Sequence, residues 1–194
     1  LDVGQARVWN ELGLVSADAG RVERAIAAFE RAVQVDPRFA RGWNNLGNAL
    51  RGTGRIAEAI RAVERATVAD PAYALAWANL GALRREGGDD TGAESALTSA
   101  LALAPDHVGA LMTLGGLLRQ AGNLESAASL FRRVAELDPR DANALFQLGG
   151  TLAERDELDL EACGEFLVLS AALLELKARG LFPDEELDLE GLDP

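Results

Sequence analysis

The chain has 194 residues, 48% of them apolar, with a mean hydropathy of +0.01, which is enough apolar material to bury a substantial core. Its net charge of −12 argues against nucleic acid as a partner. A single cysteine, Cys163, excludes an internal disulfide and a multi-cysteine zinc site, and a single histidine, His107, argues against a histidine metal centre.

The opening LDVGQARVWN has neither a basic nor an apolar leader segment and no initiator Met, so a trimmed or processed chain is expected. No apolar run approaches the roughly 20 residues of a membrane span, so no membrane insertion is expected and the expected location is cytoplasmic. Residues 1–5 read as a lead-in.

From residue 6 onward one pattern returns. Trp9-Asn10-Glu11-Leu12-Gly13 is followed by Trp43-Asn44-Asn45-Leu46-Gly47, Trp77-Ala78-Asn79-Leu80-Gly81, Leu111-Met112-Thr113-Leu114-Gly115 and Leu145-Phe146-Gln147-Leu148-Gly149, each 34 residues after the last. The same period carries Gly20, Gly54, Gly88 and Gly122, then Ala25/Phe29, Ala59/Val63, Ala93/Leu97 and Ala127/Phe131, then Pro37, Pro71, Pro105 and Pro139. Within a unit, apolar residues spaced by three and four mark two amphipathic helices, broken by a glycine turn and closed by proline. One such pair cannot bury its own apolar stripe, so neighbours must stack.

These motifs resemble the tetratricopeptide repeat (TPR) family, whose unit runs W-x2-L-G-x2-Y, A-x3-F, A and P over 34 residues. The units are 6–39, 40–73, 74–107 and 108–141, with the first helix of a fifth at 142–154. The resemblance implies an all-α, right-handed superhelical solenoid with the first helix of each unit facing a concave groove. The family's tyrosine is replaced by Ser16, Leu50, Arg84, Leu118 and Leu152, which alters local packing.

The resemblance also implies that unit positions 2, 5, 6, 9 and 12 face the groove. Position 5 reads Asn10, Asn44, Ala78, Met112 and Phe146; position 6 reads Glu11, Asn45, Asn79, Thr113 and Gln147. The asparagines resemble the ladder that grips an extended peptide in TPR arrays of the O-GlcNAc transferase type, because a carboxamide matches both peptide N–H and C=O. Position 12 reads Ala17, Arg51, Arg85, Arg119 and Ala153, and Arg41 stands at position 2. Guanidinium forks suit carboxylates, so an acidic or carboxylate-bearing extended ligand is expected, although arginine near a helix C-terminus also complements the helix dipole. Position 9 shrinks through Leu14, Asn48, Ala82, Gly116 and Gly150, which either clears space for a bulky ligand group beside Met112 and Phe146 or reflects drift. The expected peptide contacts are thus Asn44, Asn45, Asn48, Asn79, Arg41, Arg51, Arg85, Arg119, Met112, Phe146 and Gln147. The family's chaperone-tail clamp finds only two matching asparagines among Asn44, Asn48, Asn79, Gly109 and Thr113.

The C-terminal fifth departs from the repeat. It holds 3 basic against 13 acidic residues from 154 to 194. Asp156 stands where the turn glycine belongs, and Ala162/Phe166 arrive one residue late. A long divergent helix is expected over 155–180, ending at Gly180, then an acidic, leucine-containing tail over 181–194. The stretch FLVLSAALL is apolar at eight of nine positions and needs a cover, so Phe166, Leu169, Leu173, Leu181 and Phe182 are expected to serve self-association or autoinhibition.

No Gly-rich phosphate loop, HExxH or G-x-S-x-G occurs, so no catalytic residue, metal or cofactor is expected. Cys163 reads as a small buried hydrophobe, and His107 as a solvated or capping residue at an inter-unit turn. The expected function is a non-enzymatic protein-interaction scaffold; the rival is the substrate-recruiting TPR region of a larger enzyme, a glycosyltransferase or oxygenase. One Lys against eighteen Arg hints at a bacterial source.

Overall fold

The structure is a computed structural model and describes residues 3–155. These form nine α-helices: α1 (Val3–Asp18), α2 (Val22–Val35), α3 (Ala40–Gly52), α4 (Ile56–Ala69), α5 (Ala74–Glu86), α6 (Asp90–Leu103), α7 (Val108–Gln120), α8 (Leu124–Leu137) and α9 (Ala142–Glu154). No strand occurs among the described residues.

The first helices of the first four units are stopped in the same way. Gly20, Gly54, Gly88 and Gly122 have φ of 71°, 76°, 82° and 79°, a left-handed conformation that costs glycine nothing and other residues a Cβ clash. The chain reversal lets the next amide reach back five residues, as from Arg55 to the Leu50 carbonyl (3.1 Å) and from Asp89 to Arg84 (2.8 Å). Second helices end on Asp-Pro turns in three units. There Asp36, Asp70 and Asp138 each accept, through Oδ1, the amide two residues on at 3.0 Å. Trp43 and Trp77 brace two of these turns, donating indole N–H to the Pro37 and Pro71 carbonyls at 3.0 and 2.9 Å. His107 caps α7, its Nδ1 accepting the Ala110 amide at 3.1 Å.

The two helices of a pair close on small residues. Ala25, Ala59, Ala93 and Ala127 are fully buried, as are Phe29, Val63, Leu97 and Phe131 one turn further on. Across from the larger residues lie Gly13, Gly47, Gly81 and Gly115; a Cβ on Gly81 would meet Leu97 Cγ at 2.5 Å, and one on Gly115 would meet the Phe131 ring at 2.6 Å. These glycines are therefore required by close helix approach, which offsets their roughly 1 kcal/mol helix penalty.

Pairs stack in sequence, α2 on α3, α4 on α5, α6 on α7 and α8 on α9. First helices also touch one another, α1 with α3, α3 with α5, α5 with α7 and α7 with α9, while no two second helices touch among the described residues. A stack whose first helices meet and whose second helices splay curves toward the first helices, so α1, α3, α5, α7 and α9 line the concave side. Two features depart from the repeat. Val8, Leu12 and Val15 are exposed on α1, although their equivalents Ala76, Leu80 and Leu83 are buried against the preceding pair. Arg84, in the family's tyrosine position, bridges the Glu64 carboxylate (2.9 Å) and the Gly92 carbonyl (3.3 Å), replacing aromatic packing by an inter-pair ion pair.

Candidate functional site

Two ladders of side chains run along the concave face, and both join one unit to the next. In the first, Asn45 Nδ2 donates to Asn10 Oδ1 and Asn79 Nδ2 to Asn44 Oδ1, each at 2.8 Å and across 35 residues. Asn10 and Asn44 are buried, so these bonds satisfy side-chain carbonyls that would otherwise be costly in the seam between first helices. Asn45 and Asn79 are half-buried and keep their carbonyl oxygen and one N–H beyond the ladder. At the next seam Ala78 and Thr113 cannot continue it, and the Thr113 hydroxyl donates instead to the Gly109 carbonyl at 2.7 Å.

The second ladder is ionic. Arg51 grips Glu86 with two nitrogens, Nε at 3.0 Å from Oε2 and Nη2 on Oε1. Arg119 grips Glu154 likewise, Nε lying 3.0 Å from Oε2, and its Nη1 donates to Gln147 Oε1 at 2.9 Å. Between them Arg85 meets only the neutral Gln120, Nη2 to Oε1 at 3.4 Å. Each partner stands 35 residues after its arginine. The arginines lie across the small residues at position 9: a Cβ on Gly116 would sit 3.2 Å from Arg85 Nη1, and one on Gly150 3.4 Å from Arg119 Nη2. Arg51, Ala82, Arg85, Glu86 and Thr113 line an open pocket of about 290 Å³ on this face. The fork of Arg119 holds the Glu154 carboxyl below its ordinary value of 4.5 and raises the guanidinium in turn.

Tetratricopeptide repeat patterns match residues 10–74 and 44–108, and a second such pattern matches 85–148. The chain belongs to the tetratricopeptide repeat family. Solved TPR structures share its fold at low identity. PilF of Pseudomonas aeruginosa aligns over 95% of this chain and 79% of its own, with a TM-score of 0.80 and 20% identity. MamA of Desulfovibrio magneticus RS-1 aligns over 93% and 98%, with a TM-score of 0.74 and 16% identity. YrrB, described as a TPR protein with an unusual peptide-binding site, aligns over 88% and 90%, with a TM-score of 0.69 and 23% identity. No curated protein sequence matches the chain.

The TPR groove differs in three respects from what its sequence leads one to expect. Asn44 is buried and its carbonyl is spent on Asn79, so it is a strut between units rather than a ligand contact. Position 5 is mostly withdrawn from the surface: Asn10 and Ala78 are buried too, Met112 is half-buried against the Phe131 cluster, and Phe146 is exposed. Gly116 and Gly150 do clear space, but for Arg85 and Arg119 of the preceding unit rather than for a ligand group. Arg41 and Asn48 are exposed, and Gln147 is half-buried under Arg119. Phe166, Leu169, Leu173, Leu181, Phe182 and Cys163 lie outside the described residues.

Glu86, Gln120 and Glu154 escaped the sequence reading, yet a signal for them exists. Wherever position 12 is arginine, the next unit carries alanine or glycine at position 9 and Glu or Gln at position 13; where it is Ala17, the next unit has Asn48 and Gly52. A search at a spacing of 35 rather than 34 finds the pairs. Among the described residues no group of three or more His, Cys, Asp or Glu could hold a metal ion, and no helix is long and apolar enough to cross a membrane.

The Arg119–Glu154 rung has a pH signature. A carboxyl with a depressed folded-state pKa adds stability that is complete above its unfolded value and is lost as pH falls through the folded one. Glu154→Gln is therefore expected to flatten the fall in melting temperature between about pH 5 and pH 3, with the wild type retaining its small advantage only at the upper end. Parallel curves for the two proteins across that range would contradict the rung.

Proposed function

We propose that the chain is a non-enzymatic interaction scaffold whose concave groove binds an extended, acidic segment of a partner protein. The observation that carries this reading is the open pocket on the concave face, where Arg51 and Glu86 neutralise each other and Arg85 leaves one positive charge in excess. That excess lies in a chain whose net charge is −12, so it favours carboxylates locally against the overall field. The unspent carbonyl and N–H groups of Asn45 and Asn79, with the exposed Asn48 beyond them, suit the backbone of an extended peptide. Arg41 and Phe146 add exposed charged and apolar contacts on first helices of the second and fifth units. Two further facts support the reading. TPR arrays are protein-interaction modules and generally not catalytic, and YrrB, which shares the fold, has a peptide-binding site.

Fluorescence anisotropy with labelled, terminally blocked Gly/Ser peptides carrying glutamates, lysines or neither tests it. The glutamate peptide should bind about tenfold or more tightly than the others, a preference that weakens as salt rises toward about 0.5 M. Equal affinity for all three, or binding of none, would overturn the proposal.

A further inference from the structure

On the reading of the groove as a site for acidic peptides, we propose that Arg85 alone of the three stripe arginines receives the ligand's carboxylate, and that Gln120 is the residue that keeps it available. The three arginines share one unit position, and each reaches toward the residue 35 further on. Two of those residues are glutamates and hold their arginines in two-nitrogen forks; the third is an amide at 3.4 Å, near the outer limit for a hydrogen bond. Glutamine and glutamate have the same reach, so the rungs differ in charge and not in length. Arg51 and Arg119 are therefore neutralised within the fold, whereas Arg85 keeps its full charge and most of its five N–H donors.

The surroundings of Arg85 favour a ligand carboxylate over the internal amide. Arg85 is half-buried, and its guanidinium lies over the backbone of Gly116, which has no Cβ to lift it away. Among the described residues, no carboxylate lies within ion-pair distance of it. The pocket beside it, about 290 Å³, has room for an acidic side chain or a chain terminus. Thr113 spends its hydroxyl proton on Gly109, so toward the pocket its oxygen can only accept, which suits the peptide N–H next to a bound carboxylate. A carboxylate adds opposite charge and a second parallel N–H···O bond that the single contact to the neutral Gln120 amide lacks, so the ligand displaces Gln120.

The decisive variant is Gln120→Glu, which closes the middle rung in the manner of Glu86 and so should fold at least as well as wild type. Its affinity for a blocked peptide with one internal glutamate should fall about ten- to a hundredfold. Arg85→Ala should match that loss, Gln120→Ala should keep wild-type affinity, and Glu86→Gln, by releasing Arg51, should tighten binding of a peptide with two glutamates. A second probe, with its glutamate replaced by glutamine and its C-terminus free, separates a terminal carboxylate from a side-chain one as the source. If the glutamate peptide binds wild type and Gln120→Glu equally, Arg85 is not the anchor and the acidic groove stands without it. If no acidic peptide binds wild type, the groove reading itself fails and takes this inference with it.

Discussion

Phe131→Ala is expected to lower the unfolding free energy by about 3–5 kcal/mol, the usual cost of emptying a fully enclosed aromatic site. Phe131 has no exposed surface and packs with Ala127, Ala128, Leu148 and Leu152. Its ring occupies the space left by the missing side chain of Gly115, so helical backbone forms one wall of the site and cannot collapse inward. In a stacked repeat the damage is local: each unit holds to its neighbours only, so α7 to α9 should unfold ahead of α1 to α6. Urea titration followed by circular dichroism should show a lower midpoint and a broadened or split transition. A sharp single transition displaced by less than about 1 kcal/mol would contradict the packing described.

Gly81→Val sets two effects of known size against each other. Removing a glycine from a helix interior normally gains up to about 1 kcal/mol. Here the new Cβ would stand 2.5 Å from Leu97 Cγ and 3.1 Å from the Ala93 carbonyl oxygen, and both of those residues are fully buried. Overpacking of this kind costs about 1–3 kcal/mol, and a β-branched residue sheds most of the helix gain, so a net loss of about 2 kcal/mol is expected. Combining it with Leu97→Ala provides the sharper measurement. Each change alone destabilises, but the space opened by one admits the methyls of the other, so the double variant should be more stable than additivity predicts by 1 kcal/mol or more. Strict additivity would show that the two residues do not meet.

The groove separates what could be read from what could not. Turn glycines, Ala/Phe pairs and the 34-residue period report short-range geometry, since a left-handed φ at Gly54 or a close approach at Gly81 is demanded by residues of the same pair. Asn44 and Arg119 could not be assigned this way. Each looks like a free polar group on a groove-facing helix, and each is consumed by a residue of the next unit, Asn79 in one case and Glu154 in the other. The offset of those contacts is 35 rather than 34, because a side chain on one first helix meets the next helix one residue past its own equivalent. A reading aligned strictly on the repeat compares equivalent positions and misses the diagonal one.

Sequence alone thus determined the TPR family, the helix pairs and the direction of the apolar stripes, because a lone pair leaves apolar surface that only stacking can cover. It also placed three arginines on one edge of the concave face. Only the tertiary structure decided which of them is a strut and which a candidate receptor. That outcome depends on whether stacking sets a carboxylate or an amide against each guanidinium, and a single oxygen-for-nitrogen difference at Gln120 leaves Arg85 charged where Arg51 and Arg119 are neutralised.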